Sequence, residues 1–347
     1  MIEKNCKCNF QRRIEYLDIF RGIGIILMIM GHVVYTGKFE HFIHAFHMPM
    51  FFFISGYLYR DKEISIRDFF IKKAKTLLIP YFFYGILQYC FWLLTKWPQM
   101  DFQPLWHLFT INTDGLAIAG SLWFLTALLW TDLMFFLIKK YINSEFVTTI
   151  IIIIIAIIGN MEKTIFSGQL PWGIGVAFVG LGLYYIGYLL QKYSQKKLVN
   201  RVLNMPIIIG LLFSVVVYFC IFQNGSVNMR TSKYGILLMF WVNAVGATLA
   251  GINISKYIES LAGKSKFLEV FINECKYIGR NSIVYVCLNQ LVITVWEEFF
   301  LFLGVNTSDI KNIILLLSLI SLRIATLIIM NTKLSVTVGK NHKMLSQ

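Results

Sequence analysis

Arg21, His32 and His47 are the residues of this 347-residue chain whose types and spacing best suit chemistry. The first two lie in the stretch Tyr16–His32, where Asp18, Arg21 and His32 interrupt an otherwise apolar run. A charged residue at the centre of a membrane helix costs about 2.5–3.5 kcal/mol even on insertion scales. Such residues face a cavity or a partner and are functional by default. Arg21 and His32 are eleven positions apart, which at helical pitch leaves an offset of only about 20°. They share one face, about 16 Å apart along the axis. Asp18, one turn before Arg21, is placed to neutralise or orient it. A neutral imidazole can take a proton from a hydroxyl as general base, or attack an acyl group as nucleophile; the residues leave both open. The plainer alternative has Arg21 snorkelling to headgroups and His32 hydrogen-bonded between helices.

These residues require a membrane around them. The chain is 57% hydrophobic and 14% charged, far below the roughly 25% charge of a soluble domain. Its apolar residues fall in ten blocks, at approximately 17–36, 44–60, 75–95, 117–138, 146–161, 172–191, 206–223, 234–252, 279–302 and 310–331. Most are long enough to cross about 30 Å of hydrocarbon as helices; the Ile-rich block at 146–161 is the shortest. The expected fold is therefore an all-α, polytopic transmembrane bundle of about ten spans, a single domain over 1–347 in a lipid bilayer. The first block follows a basic stretch without a small-residue cleavage site and reads as a retained span.

The net charge of +14 reads as topology, not as nucleic-acid binding. With both termini cytoplasmic, 24 of the 32 Lys and Arg fall in inner segments and six in outer ones, Lys38, Lys96, Lys163, Arg230, Lys233 and Lys311, as the positive-inside rule requires. The six Cys are scattered and form neither a disulfide framework nor a zinc pattern. His41, His44 and His47 recur every third residue, but the stripe drifts by about 60° per step and no metal site is expected.

The segment Phe46–Tyr59 adds His47 at the outer end of the second block. Together, Arg21 followed after ten positions by Gly31-His32, and the Phe46-His47-Met48-Pro49 and Phe52–Tyr57 runs, resemble acyltransferase family 3, more narrowly its fucose 4-O-acetylase-like branch. Weaker echoes are Leu78–Tyr81, Leu122–Ala127 and Gly279–Ser282. The resemblance implies transfer of an acyl group, commonly acetyl from acetyl-CoA, to a sugar hydroxyl of an exported or cell-envelope polysaccharide, at the cytoplasmic membrane of a bacterium. It makes His32 the essential histidine, Arg21 its partner and His47 the histidine of the second span. One position departs from the pattern: about ten residues into the ninth span, where relatives often carry a histidine, this chain has Asn289, whose amide can still hydrogen-bond the acceptor and is a candidate for binding it. No fused hydrolase-like domain is expected, so transfer would be direct.

An anionic acyl-CoA needs cations on the inner side. Arg21, the basic stretch Arg60–Lys75 and Arg323, in the tenth block, are candidates, although Arg323 could instead pair with Asp132. The outer connection around Trp97, Asp101, Trp106, His107 and Asp114 mixes groups that stack on and hydrogen-bond a sugar; an interfacial aromatic belt accounts for its Trp residues equally well. Buried Arg, Asp and His also mark transport pathways, so a glycan-precursor transporter or flippase is the competing reading. Against it, the halves show no internal repeat.

Overall fold

The computed structural model describes residues 13–340 apart from 34–36, 62, 97, 99–100 and 111–116. Among the described residues every regular element is a helix, and the one extended contact is an isolated bridge between Asn228 and Lys233. The helices are α1 (Glu15–His32), α2 (Lys38–His44), α3 (His47–Tyr57), α4 (Ile66–Thr95), α5 (Gln103–Thr110), α6 (Trp123–Tyr141), α7 (Glu145–Asn160), α8 (Glu162–Ile165), α9 (Ile174–Lys192), α10 (Lys197–Leu203), α11 (Ile207–Gln223), α12 (Leu237–Ser260), α13 (Lys266–Arg280), α14 (Ser282–Phe302) and α15 (Lys311–Asn331). Short 3₁₀ segments at Ala117–Leu122, Met229–Thr231 and Lys333–Val338 complete the parts that matter for the site.

Six helical segments are long and apolar enough to cross a membrane: Ile66–Thr95, Ala119–Tyr141, Pro171–Lys192, Leu237–Ser260, Ser282–Phe302 and Lys311–Asn331. A seventh is added if α10 and α11, which meet at 78°, count as one broken span. Each of the ten apolar blocks falls on a helix, but the remaining ones are short or polar. The eleven residues of α3 rise only about 16 Å, half the hydrocarbon thickness, and α1 carries Glu15, Asp18 and Arg21. Outward faces are apolar, with Ile153, Leu212, Phe219, Leu238, Leu316 and Ile324 exposed, a surface suited to lipid. Inside, hydroxyls such as Thr131, Thr248 and Thr326 bond back to the carbonyl four residues earlier, which satisfies them without water.

Two seams of glycine hold the core together. A Cβ at Gly22 of α1 would lie 2.0 Å from the Cys275 carbonyl oxygen of α13, and one at Gly279 of α13 would lie 1.9 Å from that of Asp18. The α3–α9 seam repeats the device: a Cβ at Gly56 would meet the Tyr184 oxygen at 1.8 Å, and one at Gly187 the Phe53 oxygen at 2.1 Å. Backbones approach this closely only where side chains are absent, the usual route to helix association where lipid removes the hydrophobic drive.

The α13 helix lies between the apolar blocks at 234–252 and 279–302 and belongs to neither, yet it packs on α1. It is amphipathic, with Ile272, Cys275 and Ile278 buried and Phe267 and Val270 exposed. Its charges lower its mean hydropathy and hide it from a search for apolar blocks, while its apolar stripe at helical spacing seats it on α1.

Candidate functional site

Arg21 and His32 lie toward opposite ends of α1, and each opens onto a cavity. Toward its C-terminal end a cavity of about 300 Å³ is lined by His32, His44, His47, Glu40, Ser121, Arg230 and Gln290, with Phe51, Trp123 and Phe124 as its apolar wall. The short α2 helix and the sharp entry into α3 fold the second histidine back over the first. His44 and His47 stand with ring centroids 5.2 Å apart. His47 Nδ1 lies 2.8 Å from the Ile43 carbonyl oxygen; since a carbonyl only accepts, Nδ1 carries the proton and Nε2 keeps its lone pair. His41, by contrast, has its Nε2 3.1 Å from the Ile221 carbonyl and does not line this cavity, so the three-residue stripe does not converge.

His32 is backed by Asn289. The Asn289 amide is fully buried and its Nδ2 donates to the carbonyls of Tyr285 (2.9 Å) and Val286 (2.8 Å) and to Ser121 Oγ (3.3 Å). That leaves Oδ1 directed elsewhere, and it adjoins the His32 ring. His32 Nδ1 and Asn289 Oδ1 are both buried without a partner at strict hydrogen-bond geometry. The Asn289 side chain interacts with the His32 ring, and its one unpartnered atom is an acceptor suited to an imidazole N–H. An amide can thus do the orienting work of the histidine that the resemblance leads one to expect there.

Toward the other end, Arg21 lines two further cavities. One, of about 510 Å³, is bounded by Arg21, Ser55, Thr76, Arg280, Ser282 and Lys340. The other, of about 330 Å³, brings Arg21 near Arg60, Lys73, Asp132 and Tyr184. Pro80 within α4 has no N–H for the Thr76 carbonyl four residues earlier, so this wall carries a carbonyl outside the helix ladder. The larger arginine cavity and the histidine cavity share Phe51, Phe124 and Val286 in their linings. Phe51 and Phe124, with ring centroids 5.7 Å apart, form an aromatic waist between them.

Several expected pairings are not formed. Asp18 does not pair with Arg21: its Oδ2 accepts from Arg13 Nε at 2.7 Å and from Arg280 Nε at 3.3 Å. Among the described residues no carboxylate forms an ion pair with Arg21. Arg323 does not reach Asp132 but grips Glu274 of α13 through Nε (2.9 Å) and Nη2 (3.4 Å) and stacks on Tyr277 at 3.4 Å. It lines neither arginine cavity, and its guanidinium ties α15 to α13. Asp132 instead accepts from Lys73 Nζ at 2.6 Å and from Tyr184 Oη at 2.9 Å, because α4 and α9 flank α6 where α15 does not.

The acceptor candidates of the 97–117 connection are likewise apart from the histidines. Asp101 caps α5, accepting from Gln103 N at 2.8 Å, and Trp106 is exposed on the surface of α5; neither lines the histidine cavity. Asp114 and Trp97 lie outside the described residues.

Arg230 and Gln290 were missed by sequence reading. Arg230 was counted only as an outer charge, yet its guanidinium lies over Gly120, where an added Cβ would be 2.6 Å from Nη1. Gln290 Oε1 accepts from Ser121 N at 3.1 Å and anchors the 3₁₀ turn that floors the cavity. Two consecutive amides in an apolar span, Asn289 and Gln290, were the available signal. The turn bearing Arg230 is pinned from outside: buried Glu162 accepts from Ser232 Oγ and from Leu170 N, and Gln169 Nε2 donates to the Arg230 carbonyl at 2.7 Å.

A family model described as an acyltransferase domain matches residues 14–331, a region that contains both ends of α1 and every helix named above. No curated protein and no solved structure matches the chain.

Proposed function

The chain belongs to acyltransferase family 3, and from that premise we propose that it transfers an acyl group, in the first instance acetyl from acetyl-CoA, to a sugar hydroxyl of an exported or cell-envelope polysaccharide. The observation that carries the reading is the pair of cavities on one helix, cationic at Arg21 and imidazole-lined at His32, meeting at Phe51, Phe124 and Val286. The charge split of the sequence supports an arginine end facing the cytoplasm, where acyl-CoA is made, and the membrane we propose is a bacterial cytoplasmic one. The shorter helices α1, α3, α7 and α11, together with their flanking segments, would bring the spans to about ten. The donor's nucleotide would sit among the cations, with its thin pantetheine arm passing the waist and its thioester beside His32.

Nε2 of His32 takes the proton of the sugar hydroxyl as its oxygen attacks the thioester carbonyl. The C–S bond then breaks and the thiolate leaves with the proton. Asn289 holds the imidazole, and His47 Nε2 presents a second acceptor for the sugar. An acetyl group carried transiently on His32 is the other route open to the same geometry.

The test is acetyl transfer by the purified protein in nanodiscs. Supplied with acetyl-CoA and cell-envelope glycan, it should release free coenzyme A thiol only when glycan is present, and the glycan should gain one acetyl mass increment. Glycan movement across the membrane with no thiol release would mark a transporter and overturn the reading.

A further inference from the structure

After α15 the chain does not leave the bundle. Residues Lys333–Val338 form a 3₁₀ strap that turns back beneath it, with Ser335 and Val338 buried at 0% and 2% exposure. Thr337 Oγ1 lies 3.1 Å from Tyr84 Oη of α4. The strap ends at Gly339, whose φ of +71° suits glycine and whose added Cβ would lie 2.5 Å from the Lys75 carbonyl oxygen. This close, left-handed turn lays Lys340 against the arginine cavity, where its Nζ donates to Asn281 Oδ1 at 3.0 Å between α13 and α14.

The lining of that cavity contains Arg21, Arg280 and Lys340 and no carboxylate. The nearby acids are already engaged: Asp18 with Arg13 and Arg280, and Glu15 with Lys276 and Arg280. Among the described residues Lys340 has no acidic partner. Burial first, and the Arg13 charge second, hold its pKa below the ordinary lysine value, the behaviour of an ammonium lacking a counter-anion. A cluster of cations in a partly enclosed space is stable only with an anion among them, and a phosphate takes a planar guanidinium and a point ammonium together.

We propose that the strap is a built part of the donor site and that Lys340, with Arg280 and Arg21, binds the phosphate groups of the acyl-CoA nucleotide. The proposal rests on the acyl-CoA reading above and adds to it the residue that the returning strap delivers. Lys340 holds the donor at a distance from the reacting atoms, so its loss affects donor affinity and not the chemical step.

The experiment compares two donors in nanodiscs of zwitterionic phosphatidylcholine: acetyl-CoA, and S-acetylpantetheine, which has the thioester arm and no phosphate. Lys340→Gln should raise the KM for acetyl-CoA and the calorimetric Kd for coenzyme A about tenfold to hundredfold, the effect of one charge-assisted hydrogen bond. Lys340→Arg should restore both to within about twofold by keeping the charge, and turnover of S-acetylpantetheine by Lys340→Gln should match wild type. Unchanged coenzyme A affinity, or an equal loss on both donors, overturns the proposal. A difference that emerges only when phosphatidylglycerol is added assigns the cations to a lipid headgroup and overturns it too. Failure of the wild-type protein to bind coenzyme A at all would instead remove the acyl-CoA reading itself.

Discussion

The two ends of α1 are built by different means. Around His32 the walls are mostly short pieces, α2, the entry to α3, the 3₁₀ turn at Ala117–Leu122 and the pinned turn at Met229–Thr231, set against α14. Around Arg21 they are long helices and a returning strap, and the cations of the larger cavity come from positions 21 and 280, brought together by the Gly22–Gly279 seam, and from position 340 on the strap. A catalytic imidazole needs one orienting partner and a snug cavity, which a single helix, α14, and a few short turns packed on it can supply. A site for a polyanion needs several cations converging from different elements, and only tertiary packing achieves that.

The sharpest way to break the comparison is at the histidine end. His32→Ala should lower acetyl transfer by about 10² to 10⁴, the usual contribution of a positioned base, while the protein inserts and binds coenzyme A normally, because nothing at the arginine end touches residue 32. Glycan acetylation and coenzyme A titration on the same preparation read the two ends separately. Near-wild-type acetylation would show that the histidine cavity is not where the acyl group moves.

The next effect is at the waist. Phe51 is 7% exposed and lines both cavities, so Phe51→Trp should crowd the passage without removing a charge or a base. A misplacement of about 1 Å costs up to about 10²-fold in rate, and a fall of roughly tenfold or more in kcat is expected with coenzyme A affinity retained. If affinity and kcat fall together, Phe51 is a core residue and the cavities are not joined through it.

The same contrast explains what the sequence made legible. His32 and His47 could be placed in one site because only fifteen positions of chain and one short helix separate them, and the helical offset of Arg21 from His32 follows from pitch alone. The partners of the charges were not legible. Asp18 pairs with Arg280 across 262 positions, and Arg323 pairs with Glu274 on an amphipathic helix that apolar counting passes over. Lys340 follows the last apolar block, where nothing in its neighbourhood signals that the chain turns back. Trp106 and Asp101 misled for the opposite reason: residue types that suit a sugar say nothing of whether their loop faces the cavity.

The smallest expected effect belongs to Arg21, and it decides how the arginine end works. Arg21 opens onto both arginine cavities with no carboxylate partner among the described residues, so its charge is not shared with a carboxylate as those of Arg280 and Arg323 are. If it were a structural anchor, lysine would serve nearly as well, since charge and length are largely kept. If it grips a phosphate or the donor's amide carbonyls through its planar fork, lysine offers only a point charge in its place. Arg21→Lys should then insert normally and raise the KM for acetyl-CoA about threefold to tenfold, with a smaller change in kcat, because uniform binding is lost and not transition-state binding. The loss should be less than additive with that of Lys340→Gln if both cations hold one phosphate group, as expected of neighbours sharing a partner. Steady-state kinetics of the two single variants and the double variant measure this directly. Strictly additive losses would place Arg21 and Lys340 on different parts of the donor, and an unchanged KM in Arg21→Lys would leave Lys340 and Arg280 to bind the donor without Arg21.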